Sequence, residues 1–242
     1  MRKERKKLHI KCELCPHRDV CLARGLDEPE LEIINNLIID VLNLKKGDII
    51  YQQGQKMNNL FAVHKGCCQE HWVDKNGHEY VENFFLPGDI LGFEHIPLKK
   101  YLYSASALAT SQVCVIPVEA LFDAAQNSEK IFRRLINLAS YKMLNNSYLK
   151  QGTNAKSRVA NFLLSMLMRY EERQVHSDKI ALPMTRIAIS NLLGIAYETV
   201  SRILHDLSRQ EIIRIYNKGI CILNMDKLKE IANPIEHFGQ VD

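Results

Sequence analysis

The sequence predicts an α+β chain built from an antiparallel β-sandwich or barrel, one long helix, and a smaller unit carrying a winged helix-turn-helix. Three observations lead there. Between Leu42 and Pro117 short apolar runs alternate with turn signals; from Ser128 to Gln151 neither Gly nor Pro occurs and apolar residues recur at helical spacing; after Thr185 two amphipathic segments hinge at Gly194. At 242 residues the chain exceeds most single domains, so two domains are expected. The boundaries read from these changes of pattern are an N-terminal segment 1–26, a β domain 27–125, a helix 126–151 and a C-terminal domain 152–242.

The first segment is strongly basic. Arg2, Lys3, Arg5, Lys6, Lys7 and Lys11 face only Glu4, against a net charge of +4 for the whole chain, and a run of this kind is expected to be a solvated tail. The β domain follows from the runs Asp48–Tyr51, Leu60–Val63, Glu79–Val81, Asn83–Leu86, Ile90–Leu91 and Val113–Ile116, separated by turns such as Lys46–Asp48, Gln53–Gln55 and Leu86–Asp89. Asp74–Gly77 predicts a hairpin turn, with Asn76 and Gly77 supplying positive φ angles. Cys67 and Cys68 are expected side by side in one strand, pointing to opposite faces.

Beyond Pro117 the period changes. Ile131, Leu135, Ile136, Leu138 and Met143 recur along a segment long enough for a helix of roughly 30 Å, with Asn146 near its end. The apolar stripe is too broad for a solvated connector, so a homodimer seam formed by this helix is the expectation. Gly152–Asn154 is the expected hinge into a second helix.

Thr185–Leu207 has helix-turn-helix spacing: Ile187, Ala188, Leu192 and Leu193 are expected to face Val200, Ile203 and Leu204 across Gly194, with Thr185 as N-cap. Ile212–Tyr216 and Ile220–Leu223 around Asn217–Gly219 predict the wing. In such a motif the start of the second helix enters the major groove of double-stranded DNA. Glu198, Ser201 and Arg202 are the candidate base readers, because a guanidinium can bond guanine O6 and N7 and a carboxylate can accept from cytosine N4. Arg186 and Thr199 are candidates for phosphate contacts, which position without specifying.

Seven cysteines, an odd number, fit a disulfide framework poorly, and no apolar run approaches a membrane span; a cytoplasmic protein without a membrane partner is expected. Cys12, Cys15 and Cys21 cluster, and Cys114 lies far along the chain. Four thiolates are soft ligands suited to zinc or to an iron-sulfur cluster, and three close ligands with one distant partner are more typical of the cluster. Cys221 in the wing is expected to be core.

Cys12–Cys21, Leu86–Phe93, Ala109–Pro117 and Glu198–Arg202 together resemble the FNR (fumarate and nitrate reduction regulator) branch of the CRP/FNR transcription factors. The resemblance runs from Cys12 to Leu223. It implies a cyclic-nucleotide-binding-like β-barrel of jelly-roll type, a dimerisation helix and a winged helix-turn-helix. It implies a 4Fe-4S cluster on Cys12, Cys15, Cys21 and Cys114 that supports a DNA-binding homodimer without oxygen and is lost in its presence. It also implies a target palindrome with TTGAT half-sites, and an RNA polymerase contact near Lys65, Asp74, Gly77 and Thr110. Two departures stand out: Ala196 replaces a usual hydroxyl residue at the N-cap of the reading helix, and Asn146 stands where relatives can carry an acidic residue.

Other functions fit less well. No Arg occurs between Arg24 and Arg133, so a phosphate clamp for a cyclic nucleotide is lacking and no such ligand is expected. No catalytic constellation is present and the chain is not expected to be an enzyme. A winged-helix DNA-binding protein with a structural zinc held by the four cysteines, and no oxygen sensing, is the alternative.

Overall fold

Apolar runs separated by left-handed glycines fold residues 40–117 into eight short strands. The computed structural model describes residues 10–149, 152, 154–175, 179–217 and 219–232. The basic tail up to residue 9, Gln151, the wing-turn residue Lys218 and the side chain of Asn146 lie outside the described residues. The chain divides into two compact units, Met1–Ser140 and Tyr141–Asp242, the division falling inside the long helix.

In the first unit a 3-10 turn (Cys12–Leu14) and helix α1 (Glu28–Leu37) precede strands β1 (Asp40–Leu44), β2 (Ile49–Tyr51), β3 (Asn59–Lys65), β4 (Cys68–Val73), β5 (Glu79–Phe85), β6 (Ile90–Leu91), β7 (Ser104–Ala107) and β8 (Ser111–Pro117). They form two antiparallel four-stranded sheets, ordered β1-β8-β3-β6 and β2-β7-β4-β5. First pairs with last and second with second-last, as if one long hairpin had been rolled up: a jelly roll of two sheets, not hydrogen-bonded into a closed barrel. Helices α2 (Val118–Asn127) and α3 (Glu129–Leu149) follow.

Several elements escape the sequence pattern. Strand β4 carries buried Gln69 and Glu70 and so lacks apolar alternation, and β7 is made of small residues. Cys67 precedes β4 instead of sharing it with Cys68, and both are buried, because Gly66 turns the chain and Ser111 Oγ accepts from the Cys67 N–H at 3.2 Å. The Asp74 turn also differs: Gly77 has positive φ but Asn76 does not, and Asp74 Oδ1 instead accepts from the N–H groups of Asn76 and His78. Inside the roll, Tyr51 and Tyr101 stack at 3.9 Å beside Phe61.

Helix α3 has two apolar faces where one seam was expected. Ile131 and Leu135 are buried in the β core, so these two are not available to a second chain, and the half-buried Leu138 packs against that core. Phe132, Ile136 and Met143 are 53%, 51% and 74% exposed; only the last two belong to the expected set.

The second unit holds α4 (Ala155–Glu171), β9 (Lys179–Ala181), α5 (Arg186–Leu193), α6 (Tyr197–Arg209), β10 (Ile213–Tyr216), β11 (Gly219–Ile222) and α7 (Met225–Ala232). Asn154 and Ser157 cap α4 reciprocally. The wing gains a third strand, in the order β10-β11-β9. Among the described residues no single helix is long and apolar enough to cross a membrane.

Candidate functional site

The cysteine loop is wound by successive backbone turns: the N–H groups of Cys15, Arg18 and Arg24 donate to the carbonyls of Cys12, Cys15 and Cys21, and that of Cys21 to His17. Each turn brings the next cysteine back to the same side. Neighbouring elements hold the loop in place. Asn35 of α1 accepts from the Cys12 N–H and donates to Glu13, both at 2.8 Å. The Leu86–Asp89 turn lies against the loop, and its Gly88, at φ +94°, leaves no room for a side chain: a Cβ there would lie 2.3 Å from Val20 Cγ2. Arg134 of α3 donates to the carbonyls of Val20 and Cys21.

Cys114 comes from β8, flanked by β1 and β3. Cys12, Cys15, Cys21 and Cys114 line one cavity, with Leu22, Ile34 and Ile116 as apolar walls and His17, Arg18 and His64 at its margin. Burial pushes the Cys12 thiol up to about 12 and Cys21 up to about 11. It raises Cys15 and Cys114 as well, and the other three thiols add to the rise at Cys114. The thiols are therefore neutral near pH 7, and a bound metal centre has to displace their protons. Burial lowers Arg134 to about 10, still a cation near neutrality.

The spread of the sulfurs bears on what would fit. Among the described residues, the set of three His, Cys, Asp or Glu ligand atoms all within 4.8 Å of one another is Glu70, Glu94 and His95, so no three cysteine sulfurs converge that closely. Tetrahedral zinc with Zn–S near 2.3 Å needs sulfurs about 3.8 Å apart. A four-iron cluster, with each thiolate on a different iron, spans a wider set. By donor chemistry the four thiolates suit either centre.

Glu70, Glu94 and His95 have another explanation. His95 Nδ1 accepts from the Leu102 N–H at 3.3 Å, so in the neutral ring Nε2 carries the proton and donates to Glu70 at 3.2 Å. Tyr51 Oη also donates to Glu70. This is a buried polar network inside the jelly roll, and its imidazole has no lone pair turned toward the carboxylates.

In the second unit Thr185 caps α5, its Oγ1 accepting from Ala188 N–H at 3.1 Å, and Gly194 closes it at φ +59°. Helices α5 and α6 cross at 107°, within the helix-turn-helix range. Val200, Ile203, Leu204 and Leu207 bury one face of α6. Ile187, expected in that core, is 59% exposed, and Ile189 is buried instead. Glu198 and Arg202 are exposed on the other face of α6 and form no ion pair with each other among the described residues. Arg186 Nη1 donates to Ser201 Oγ at 2.9 Å, joining a candidate phosphate contact to a candidate base reader. Thr199 is half-buried, and Ala196 provides no side-chain cap to α6.

Of the residues expected near RNA polymerase, Lys65, Gly77 and Thr110 are exposed, while the Asp74 carboxylate is engaged in its own turn. Cys221 is buried in the wing. The sequence offered no sign of Asn35, Arg134 or His64 as partners of the loop. His64 Nδ1 lies 3.5 Å from Cys15 Sγ. Strand alternation after Leu60 could have pointed His64 toward the face that Cys114 shares, but Arg134 and Asn35 resemble ordinary polar helix residues.

Residues 41–128 match the cyclic nucleotide-binding domain family and residues 157–231 the Crp-like helix-turn-helix domain family. The chain is 31% identical over 226 residues to the anaerobic regulatory protein of Pasteurella multocida, covering 92% of this chain and 83% of that one. It is also 31% identical to the fumarate and nitrate reduction regulatory protein of Vibrio cholerae, covering 92% and 90%. The chain belongs to the FNR branch of the CRP/FNR family of transcription regulators. Among solved structures, FixK2 from Bradyrhizobium japonicum aligns with a TM-score of 0.71 and 26% identity, over 79% of this chain and 96% of that one. CRP/FNR regulators bind DNA and act as dimers; they are transcription regulators, not enzymes.

Proposed function

We propose that this CRP/FNR regulator is an oxygen-responsive regulator of transcription in the cytoplasm, active without oxygen. The observation that carries the reading is the gathering of Cys12, Cys15, Cys21 and Cys114 on one cavity, together with relatives named for anaerobic regulation. These four cysteines are the proposed ligands of a 4Fe-4S cluster. When bound, the cluster supplies an oxygen-labile tie between the N-terminal loop and β8. Arg18, which lines the same cavity, offsets its negative charge.

The homodimer forms through the exposed face of α3. Phe132, Ile136, Ala139, Met143 and Asn146 follow one another at alternating spacings of four and three residues, the period of a coiled-coil seam. Asn146 replaces a charge on that line, which favours association. On DNA, Glu198, Ser201 and Arg202 read base edges of TTGAT-type half-sites, and Arg186 and Thr199 set the register. Lys65, Gly77, Thr110 and the Asp74 turn form the surface offered to RNA polymerase. The reading includes no cyclic nucleotide; in its support, the Tyr51, Phe61 and Tyr101 rings and the Glu70 network pack inside the roll, and no Arg occurs between Arg24 and Arg133 to hold a phosphate.

Metal analysis of protein purified without oxygen tests this directly. About four iron and four acid-labile sulfide per chain are expected, lost on replacing any of the four cysteines by Ser. Stoichiometric zinc would overturn the cluster and leave a DNA-binding protein with a structural metal.

A further inference from the structure

We propose that Arg134 is the coupling residue between the cysteine loop and the dimer helix, transmitting the position of the loop to the exposed face of α3. The inference rests on the reading of the loop as an oxygen switch. Arg134 donates through Nε and Nη2 to the Cys21 carbonyl, at 3.1 and 2.7 Å, and through Nη2 to the Val20 carbonyl at 3.0 Å. The partners are backbone atoms of a proposed ligand and of the residue before it, so movement of the Cys21 backbone moves the guanidinium. One turn earlier on α3, Lys130 pairs with Asp27 and lies 3.8 Å from Glu30.

One face of the helix therefore grips the segment running from the loop into α1, while Phe132 and Ile136 lie exposed elsewhere on the same turns. Ile131 and Leu135 are the pivot, buried in the β core. A shift of the loop can turn α3 about that pivot and change where Phe132 and Ile136 point. Arg suits this task because its planar fork binds two successive carbonyls at once, which an ammonium cannot do in fixed geometry. The Lys130 pair is half-exposed and contributes little by comparison.

The test compares wild type with Arg134→Met, which keeps the apolar stem, and Arg134→Lys, which keeps the charge. Dimer dissociation constants are measured by sedimentation for the anaerobic, cluster-loaded protein and after air exposure, together with iron content. Hydrogen exchange of residues 17–26 is followed in the cluster-free protein.

In Arg134→Met we expect wild-type iron content, faster exchange of the Cys21 and Arg24 amides, and a fall of tenfold or more in the ratio of the air-exposed to the anaerobic dissociation constant. Arg134→Lys is expected not to restore that ratio. A wild-type ratio in Arg134→Met would overturn the coupling. So would unchanged exchange, loss of iron in Arg134→Met, or full rescue by Lys, which would reduce Arg134 to a site support or a counter-charge. If wild type itself holds iron yet shows no air-dependent change in dimerisation, the switch fails together with the coupler. A wild-type change that Arg134→Met retains sinks the coupler alone.

Discussion

The cysteine loop and the reading helix α6 organise their working atoms in opposite ways. The loop has little regular structure and depends on three other elements: the side chain of Asn35 on α1, the bare backbone of Gly88 between β5 and β6, and the side chain of Arg134 on α3. Its thiols are sheltered and protonated. Helix α6 buries its own apolar face and turns Glu198 and Arg202 to water. On the proposed reading the loop changes state and depends on contacts from elsewhere, whereas α6 only recognises DNA and is held by one local motif. Disturbing the loop should therefore alter regulation, and disturbing α6 should alter affinity whatever the oxygen level.

The largest effect is expected from Cys114→Ser. It removes the one proposed ligand that joins the loop to the β core, so iron content and the anaerobic response should vanish, with affinity for a TTGAT palindrome falling by on the order of 10²-fold in a titration. Arg202→Ala should cost about 1–3 kcal/mol of binding to that palindrome and relax preference at one G·C pair. Iron content should stay unchanged, and the loss should be the same in any fully dimeric state; a loss that disappears on non-cognate DNA marks base reading.

Gly88→Ala comes next. The added methyl meets Val20 on a backbone at φ +94°, so about 1–3 kcal/mol of stability should be lost in denaturant titrations. Val20→Ala in the same chain should recover part of it. Full additivity of the two changes would separate the turn from the loop.

A smaller effect concerns pH. Burial raises Cys12, Cys21 and Cys68 from an ordinary 9.0 to about 12, 11 and 12. The folded cluster-free protein holds these protons more tightly than the unfolded chain does. Their contribution to stability is complete below pH 9 and is lost as pH rises toward 11–12. Thermal melts should thus show a decline beginning near pH 9, diminished in Cys68→Ala. The smallest effect is that of Ala196→Ser, which supplies the missing cap of α6 and should stabilise by about 0.5–1 kcal/mol.

The difference between the two regions also explains what could be read from the chain. Thr185, Gly194 and the apolar face of α6 lie within one short segment and interact locally, so the pattern discloses the element. The four cysteines announced themselves by rarity and spacing. Arg134, more than a hundred residues from Cys21 along the chain, becomes visible only once the jelly roll brings α3 alongside the loop. The same holds for α3 itself: helical spacing shows which residues are apolar, but not that Ile131 and Leu135 serve the β core while Phe132 and Ile136 remain exposed. Strand β4 was hidden by Glu70, a charged residue made acceptable in the core by Tyr51 and His95.

The most direct measurement is a single air pulse on the anaerobic protein bound to a labelled TTGAT palindrome, with absorbance, oligomer size and DNA release recorded together. Loss of the iron-sulfur absorbance accompanied by dissociation of the dimer and release of the DNA is the expected result. DNA binding and dimer size that persist after the absorbance has gone would contradict the oxygen switch.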